Sequence, residues 1–377
     1  MHKNNNMNIK IKKMYLIFIG IIFIFHLYGS AYLNPSILLD KHQSEEKEIR
    51  AEFQFSIGTD KDNEDFYKPN YFTVDQEGNI YILDTGNSRI QCFSSEGKFL
   101  SSFGQLGQGP GELSRDASKL KVLDDGNLYL IDNYQRRITV YSKNGEYQKS
   151  YNTHSPYDDI VLWNKTYYLS NIILREKHKV IYITQNLNEV KKSIGHLIEP
   201  TPDIIKMVKS SPIPPLLENE FAYMNMTNII VNSNGEIIYS QRQPYHLMKY
   251  SKNGRKIKEI IGNVNFDTHF PLKISFDGSI VRKKVVSPVS NVFESILLED
   301  DQFIVPIINP ERSFIYLDFY NSDCLLISRY KLPNIFFNKT KKEGITNIFI
   351  DRNNSFYCLI NSMEAIPKLL KYKLIFN

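Results

Sequence analysis

Residues 72–104 read FTVDQEGNIYILDTGNSRIQCFSSEGKFLSSFG, the most regular stretch of the chain. It contains four short segments rich in β-branched and aromatic residues, namely 71–75, 79–83, 88–93 and 98–103. The turns between them read Glu-Gly-Asn, Thr-Gly-Asn and Glu-Gly-Lys. Short apolar segments separated by glycine turns predict four β-strands joined by tight hairpins.

The pattern recurs along the chain with one internal spacing. Two turn glycines stand 19 residues apart in each of three segments, as Gly78 and Gly97, Gly126 and Gly145, and Gly235 and Gly254. Weaker copies without these glycines cover residues 158–194, 292–329 and 345–377. Four-stranded repeats of about 40 residues are typical of propeller blades. The sequence therefore predicts an all-β fold, a six-bladed β-propeller.

The two ends of the repeat region complement each other. The sixth copy ends after its third strand, near residues 368–375, and lacks an outer strand. Residues 51–57, AEFQFSI, alternate between polar and apolar side chains and lead into Gly58, as other outer strands lead into glycines. Pairing these ends closes the ring and removes open sheet edges. We therefore predict that an N-terminal strand completes the last blade.

The first repeat, together with QLGQGPGEL at residues 105–113, resembles an NHL repeat with the glycine-rich connector common among bacterial six-bladed propellers. The second copy, KVLDDGNLYLIDNYQRRITVYSKNGEYQKSY, is similar. The resemblance is specific over residues 69–151 and fair over 227–262. It implies a propeller fold and a binding role. Because NHL-type propellers include protein binders, nucleic-acid binders and a few enzymes, the resemblance implies no single activity.

The first 31 residues have the layout of a targeting segment. Lysines precede an apolar run at residues 14–27, and small residues follow at 29–31. This pattern fits a cleaved signal peptide or, since the run is long for a signal, an anchor that attaches the chain to the inner membrane through residues 14–28. We predict a linker at 32–48, the propeller at 49–377, and export in a bacterium to the periplasm, the medium or the membrane surface.

The charge of the chain does not indicate nucleic-acid binding. The net charge is +5, but residues 1–31 hold four lysines and no acid, which leaves 42 basic against 41 acidic residues in the remainder. Nucleic-acid binding requires a clustered basic face on the folded domain. We therefore expect a protein, a peptide or a glycan as the ligand, and no nucleic acid.

No group of residues has the spacing of a catalytic or metal-binding motif. Cys92, Cys324 and Cys358 are too few and too scattered for a disulfide framework. The histidines lack metal-ligand spacing, and the acidic residues of the first-to-second strand turns are explained as turn caps. We predict no catalytic residue, no metal and no cofactor. The alternative is a metal-dependent enzyme of the lactonase or lyase type, with its metal on the propeller axis.

The loops of one face are the predicted binding surface. In each blade, the turn after the second strand and the connector to the next blade lie on one face, and the other two turns lie on the opposite face. Loops on a rigid scaffold are where function is usually located. The candidate ligand-binding residues of this face are Arg89, Tyr134, Arg137, Tyr245 and His246.

Two of these candidates have a structural alternative. Asp84 stands five residues before Arg89, and Asp132 stands five residues before Arg137. In this arrangement the aspartate caps the turn and the arginine pairs with it or with a neighbouring blade.

One further hairpin does not fit the repeat. Residues 276–279, Phe-Asp-Gly-Ser, predict a tight turn followed by a basic return strand. The sequence leaves open whether this hairpin is an insertion or part of an extra blade.

Overall fold

The computed structural model describes residues 37–39, 46–58, 65–171, 179–196, 227–242, 245–261, 272–277, 280–285, 291–309, 314–333, 343–362 and 365–376. Within these ranges the regular structure is β-strand, apart from 3-10 turns at Thr85–Asn87 and Glu299–Asp301. The strands are β1 (Ile37–Leu39), β2 (Glu46–Ile57), β3 (Pro69–Val74), β4 (Ile80–Asp84), β5 (Arg89–Phe93), β6 (Phe99–Phe103), β7 (Lys119–Val122), β8 (Leu128–Asp132), β9 (Arg137–Tyr141), β10 (Tyr147–Asn152), β11 (Asp159–Trp163), β12 (Thr166–Ser170), β13 (Ile181–Thr184), β14 (Lys192–Ile194), β15 (Thr227–Val231), β16 (Ile237–Gln241), β17 (His246–Tyr250), β18 (Lys256–Ile261), β19 (Leu272–Asp277), β20 (Ile280–Val285), β21 (Asn291–Val292), β22 (Ile296–Leu297), β23 (Phe303–Ile308), β24 (Phe314–Tyr320), β25 (Leu326–Pro333), β26 (Glu343–Ile350), β27 (Ser355–Ser362) and β28 (Lys368–Phe376).

These strands form the six predicted blades. Blades 1 to 4 are the antiparallel sheets β3–β6, β7–β10, β11–β14 and β15–β18. Blade 5 contains β23–β25, with the short strands β21 and β22 both paired to β23 as its inner strand. Blade 6 contains β26–β28 and takes its fourth strand from β2. The six-bladed all-β prediction is confirmed.

The hydrophobic core lies between the blades. Strand β4 reads IYILD and is buried along its whole length, because both faces of its sheet are covered. Ile80 and Ile82 pack toward blade 6, while Tyr81 and Leu83 pack toward blade 2, as the two-residue period of a strand requires. Six such clusters occur among the described residues, one at each interface between neighbouring blades, including the interface that closes the ring.

Strand β2 closes the ring as predicted, and it is longer than the sequence indicated. Its residues from Ile49 to Ile57 pair antiparallel with β28. Residues 46–48 also pair in parallel with β25 of blade 5, from Glu46 opposite Arg329 to Glu48 opposite Lys331. Blades 5 and 6 are therefore joined in one continuous sheet. The alternation of residues 51–57 could not indicate this second pairing, because it depends on where β25 lies.

The second glycine of the 19-residue spacing lies beneath the preceding blade. A Cβ atom on Gly145 would lie 2.3 Å from Phe103 of blade 1, and a Cβ on Gly97 would lie 2.7 Å from Phe55 of β2. At the same position of blade 4, a Cβ on Gly254 would lie 2.5 Å from Ile194 of blade 3. The outer strand of each of these blades thus covers a glycine of the next one, which explains why the repeat needs a residue without a side chain there.

This packing predicts different effects for two glycines with similar backbone conformations. Gly145 and Gly126 have φ of +85° and +75°, but a Cβ on Gly126 meets nothing within 4 Å. Both alanine variants lose about 1 kcal/mol or more from the left-handed backbone. Gly145→Ala also displaces Phe103, which adds about 1–3 kcal/mol of overpacking. In urea unfolding, Gly145→Ala should therefore have a clearly lower midpoint concentration than Gly126→Ala. Equal midpoints would contradict this account.

The predicted hairpin near Gly278 forms a sheet of its own. Strands β19 and β20 pair from Leu272 opposite Val285 to Asp277 opposite Ile280, and this sheet has two strands. Within the described ranges the hairpin is therefore an insertion between blades 4 and 5.

The six blades lie within residues 38–377, which form one compact unit. The predicted targeting segment, including its apolar run, lies outside the described residues. Among the residues that are described, no helix is long and apolar enough to span a membrane.

Candidate functional site: the axial channel

The inner strands of the six blades enclose a cavity on the propeller axis. The cavity has a volume of about 830 Å³ and is lined by residues of β3, β7, β11, β15, β22 and β26. It also includes the first-to-second strand turns, such as Gly78, Asp124 and Asp351, so it opens on the face that holds these turns. We call this the inner-turn face, and the opposite one, with the second-to-third strand turns and the blade connectors, the connector face.

A buried ionic network forms the floor of this cavity. The Lys119 ammonium lies 3.0 Å from Asp159 Oδ1 and 2.5 Å from Glu294 Oε1, and its side chain is 1% exposed. Lys121 Nζ lies 2.7 Å from the same Asp159 oxygen. The Tyr71 hydroxyl donates to Glu294 Oε2. These five side chains come from blades 1, 2, 3 and 5, so the network ties the ring together across its axis.

The charges of the network stabilise one another. Burial lowers the pKa of the Lys119 ammonium, but the Asp159 and Glu294 carboxylates outweigh it and raise that pKa above its ordinary value. Burial raises the pKa of Asp159, and the two lysines overcome it and lower that pKa. Burial, Glu294 and Asp159 together raise the pKa of Tyr71 well above its usual range. The lysine and Asp159 are therefore charged at neutral pH, and Tyr71 keeps its proton and donates it.

Polar side chains also satisfy the open edges of the inner strands. Each inner strand has one edge without a neighbour in its own sheet, and its backbone groups need partners. Asp159 Oδ2 accepts from Ile229 N at 3.0 Å, and Asn228 Oδ1 accepts from Ser295 N at 2.8 Å. Asn347 Nδ2 donates to the Phe72 carbonyl at 3.3 Å. The polar residues of the axis therefore have a structural role as links between blades.

The donor set does not fit a resident metal ion. In the part of the chain that the structure describes, no group of three or more histidine, cysteine or carboxylate side chains could hold one. The two axial carboxylates that converge, Asp159 and Glu294, already share the ammonium of Lys119. A cation of the protein itself thus occupies the position between them.

The acidic turns cap their own backbone, as predicted. Asp75 Oδ1 accepts from the backbone of Asn79 at 2.8 Å, and Asp351 Oδ1 accepts from Ser355 in the same way at 2.8 Å. Asp125 Oδ1 accepts from Asn127 at 3.1 Å. Each of these three carboxylates also accepts a hydroxyl hydrogen from a tyrosine of the second strand.

Comparison with known proteins agrees with this architecture. The profile of the DUF5128 family, described as a 6-bladed beta-propeller, matches residues 73–335. The chain belongs to this DUF5128 family. A search of curated proteins found no match to the sequence.

Solved structures similar to this DUF5128 chain share its fold at low sequence identity. A member of the DUF4221 family from Bacteroides vulgatus has a TM-score of 0.56 and 13% identity, over 88% of this chain and 100% of that one. A protein from Bacteroides fragilis named as exported has a TM-score of 0.54 and 12% identity, over 90% and 98% of the two chains. A streptogramin B lyase matches at a TM-score of 0.49 and 11% identity, over 87% and 98%.

The two predicted arginines of the DUF5128 propeller hold the connector face together. Arg89 Nε lies 3.0 Å from Asp84 Oδ2, and its guanidinium also donates to the Asp65 carbonyl at 2.8 Å. Arg137 instead donates to two carbonyls of the preceding connector, those of Gln108 at 2.8 Å and of Glu112. The predicted pairing of the arginine with the turn aspartate is therefore observed for Arg89. Arg137 instead pairs with backbone carbonyls of the connector.

The other three candidate residues differ in accessibility. Tyr134 is 71% exposed. Tyr245 is 1% exposed, and its hydroxyl donates to that of Tyr320 at 3.2 Å. His246 is 7% exposed, with Nδ1 at 3.4 Å from Glu259, and burial lowers its pKa despite that carboxylate. Their role in ligand binding stays a prediction.

The cysteines are buried thiols. Burial raises the pKa of Cys92 to about 11 and that of Cys324 to about 12, and Cys358 is shifted in the same direction. A thiol reacts as the thiolate, so these groups are suited to packing.

Sequence reasoning missed the axial network, although one signal for it was available. Strand β7 reads Lys-Leu-Lys-Val, which places Lys119 and Lys121 in the inner strand of a blade. A lysine is almost never fully buried unless it is paired. Its partners, Asp159 and Glu294, stand 40 and 175 residues further along the chain, and no spacing rule connects residues so far apart.

Proposed function

We propose that this protein is a non-catalytic exported binding propeller that takes a protein or peptide segment, or a glycan, into its axial channel. The observation that carries the proposal is the cavity of about 830 Å³ on the axis. Ligand sites typically have volumes of about 300–1,000 Å³ and are lined mainly by apolar groups. The NHL-like repeat pattern of residues 69–151 supports the same role.

The floor of the channel supports a binding role over a catalytic one. The buried lysine and carboxylates are paired with each other, so none of them is poised as a free general base or nucleophile. The alternative enzyme of the lactonase or lyase type needs an axial metal, and Lys119 lies between the carboxylates that would hold it.

The connector face is the competing location for the ligand. Tyr134 is the exposed aromatic residue of the predicted set, and an exposed tyrosine is a frequent energetic contact at interfaces. Arg89 already binds its turn and Arg137 already binds its connector, so a ligand on this face would have to share their guanidinium groups.

Export is part of the proposal. The basic and apolar pattern of residues 1–31 supports it, and so does the exported protein from Bacteroides fragilis that shares the fold. We place the propeller in the periplasm, on the membrane surface or outside the cell, with residues 14–28 as signal or as membrane attachment.

The test compares the two faces with defined probes. The purified propeller is applied to arrays of synthetic peptides and of glycans, alongside Val161→Trp, which narrows the channel, and Tyr134→Ala on the connector face. Val122→Phe, on the inner strand of the neighbouring blade 2, serves as a second narrowing variant if the first is unstable. We expect binding that Tyr134→Ala retains and the narrowing variants lose, with the bound probe recovered unchanged by mass spectrometry.

Other results would overturn parts of the proposal. Loss of probe binding in Tyr134→Ala alone would place the site on the connector face. A recovered probe with altered mass would show catalysis, and an absence of binding on either array would remove the binding function.

A further inference from the structure

We infer that the ligand of the axial channel is a basic peptide segment with apolar side chains. The inference rests on the proposed binding function and adds the class of ligand. Three features of the channel support it: an aliphatic wall, an acidic mouth, and a buried hydroxyl without a partner.

The wall above the ionic floor is mostly aliphatic. The side chains of Val122, Val161 and Leu298 are half-buried, so part of each faces the open space of the channel. Trp163 lies at the mouth of the same wall. Aliphatic side chains give apolar contact without hydrogen bonds, so the many hydroxyls of a glycan would lose their water without replacement. The wall therefore favours apolar side chains of a peptide.

The mouth of the channel carries a large excess of negative charge. The inner turns of the six blades, at residues 75–78, 124–126, 163–165, 232–235, 298–302 and 351–354, contain two cations, Lys165 and Arg352. The same turns contain eight carboxylates: Asp75, Glu77, Asp124, Asp125, Glu299, Asp300, Asp301 and Asp351. Such a ring of one sign attracts a ligand of the opposite charge.

The protein offsets only part of this charge: Lys371 lines the same cavity and interacts with Asp351, but the carboxylates outnumber the cations. The pairs Lys143 with Glu77 at 3.4 Å and Arg352 with Glu299 at 3.9 Å are exposed, and pairs of that kind contribute little. Partial burial and the neighbouring Asp125 raise the pKa of Asp124, and no cation among the described residues opposes them. Asp124 lines the channel, so a ligand cation there has a direct partner.

A hydroxyl inside the channel lacks a partner. Ser295 lines the cavity and is 6% exposed. Its backbone donates to Asn228, but its Oγ has no hydrogen-bond partner. A buried polar group in this state has lost its hydrogen bonds to water, and a ligand can replace them. Because a serine hydroxyl both donates and accepts, it suits the N–H or C=O group of a peptide backbone.

A metal ion is a poorer match to the acidic mouth than an organic cation. The turn carboxylates use their oxygens to cap backbone amides, and the described residues contain no cluster with the ligands for a metal. Their charge acts over the mouth as a whole, and a lysine or arginine side chain can respond to it without a fixed coordination shell.

The test uses three labelled hexapeptides and fluorescence anisotropy. The first alternates lysine with leucine, the second has glutamate for each lysine, and the third has serine for each leucine. We expect the first peptide to bind the full propeller with higher affinity than the other two. Its affinity should fall as the salt concentration is raised. Asp124→Asn should weaken binding about two- to fivefold, as expected for loss of one partly exposed ion pair. Glu52→Gln, an exposed carboxylate on β2, is the matched control and should leave binding unchanged.

Ser295→Ala separates a ligand contact from a structural role. Its hydroxyl contributes no hydrogen bond within the protein, so the melting temperature should not fall, while affinity for the first peptide should fall about two- to tenfold. A lower melting temperature with unchanged affinity would overturn the role of Ser295. Tighter binding of the glutamate or serine peptide, still lost in Val161→Trp, would overturn the ligand class but keep the channel function. Lysine-peptide binding that survives Val161→Trp would reject both.

Discussion

Replacing Lys119 by methionine should destabilise the propeller by about 3–5 kcal/mol, the usual result of removing one partner of a buried ion pair. The methionine keeps much of the lysine's volume, so the loss comes from charge and not from a cavity. Glu294 would lose its ammonium partner at 2.5 Å and stay buried, whereas Asp159 would keep Lys121 at 2.7 Å. The measurement is the free energy of unfolding in urea at neutral pH.

A second substitution identifies the source of the loss. Glu294→Gln in the Lys119→Met background removes the uncompensated charge and keeps an oxygen that accepts from Tyr71. We expect the double variant to recover a large part of the lost stability. Glu294→Gln alone should be destabilising, because it leaves Lys119 with one carboxylate. If the double variant is as unstable as the sum of the two single ones, the network does not act as one electrostatic unit.

Deleting residues 32–57 should lower the free energy of unfolding by several kcal/mol, because strand β2 supplies one quarter of blade 6 and links it to blade 5. Ile49 and Ile57 are each 1% exposed, and burial of two such side chains contributes about 3–6 kcal/mol. The deletion also opens the edge of β28 and uncovers Gly97, which lies beneath Phe55. Thermal unfolding of the truncated protein measures the effect.

Point variants of β2 give the matched comparison. Ile57→Ala removes a buried side chain and should cost about 2–5 kcal/mol, whereas Phe53→Ala removes one that is 57% exposed and should cost much less. A synthetic peptide of residues 46–57 should restore the melting temperature of the truncated chain. An unchanged melting temperature on deletion would disprove the role of β2 in closure.

The position of the candidate site depends on contacts between blades, and local sequence patterns do not contain this information. Arg89 was recognisable as a turn residue, since Asp84 stands within the same turn. Tyr245 and His246 were placed in an exposed loop by the repeat, yet both are buried. The burial of Tyr245 depends on packing between blades 4 and 5, and neither repeat contains that information.

Local patterns in the sequence were sufficient to predict the blade, the number of blades and the closure of the ring. These properties depend on local features, namely strand alternation, turn glycines and the complementary ends of the repeat region. Each feature can be recognised within a few tens of residues. The side chains that meet on the axis, in contrast, depend on how the blades are arranged around it. Tyr71, Lys119, Asp159 and Glu294 belong to four different blades and meet because the ring closes around them. Their pairing, the open channel above them and the lone hydroxyl of Ser295 are therefore properties of the closed ring, which no single repeat encodes.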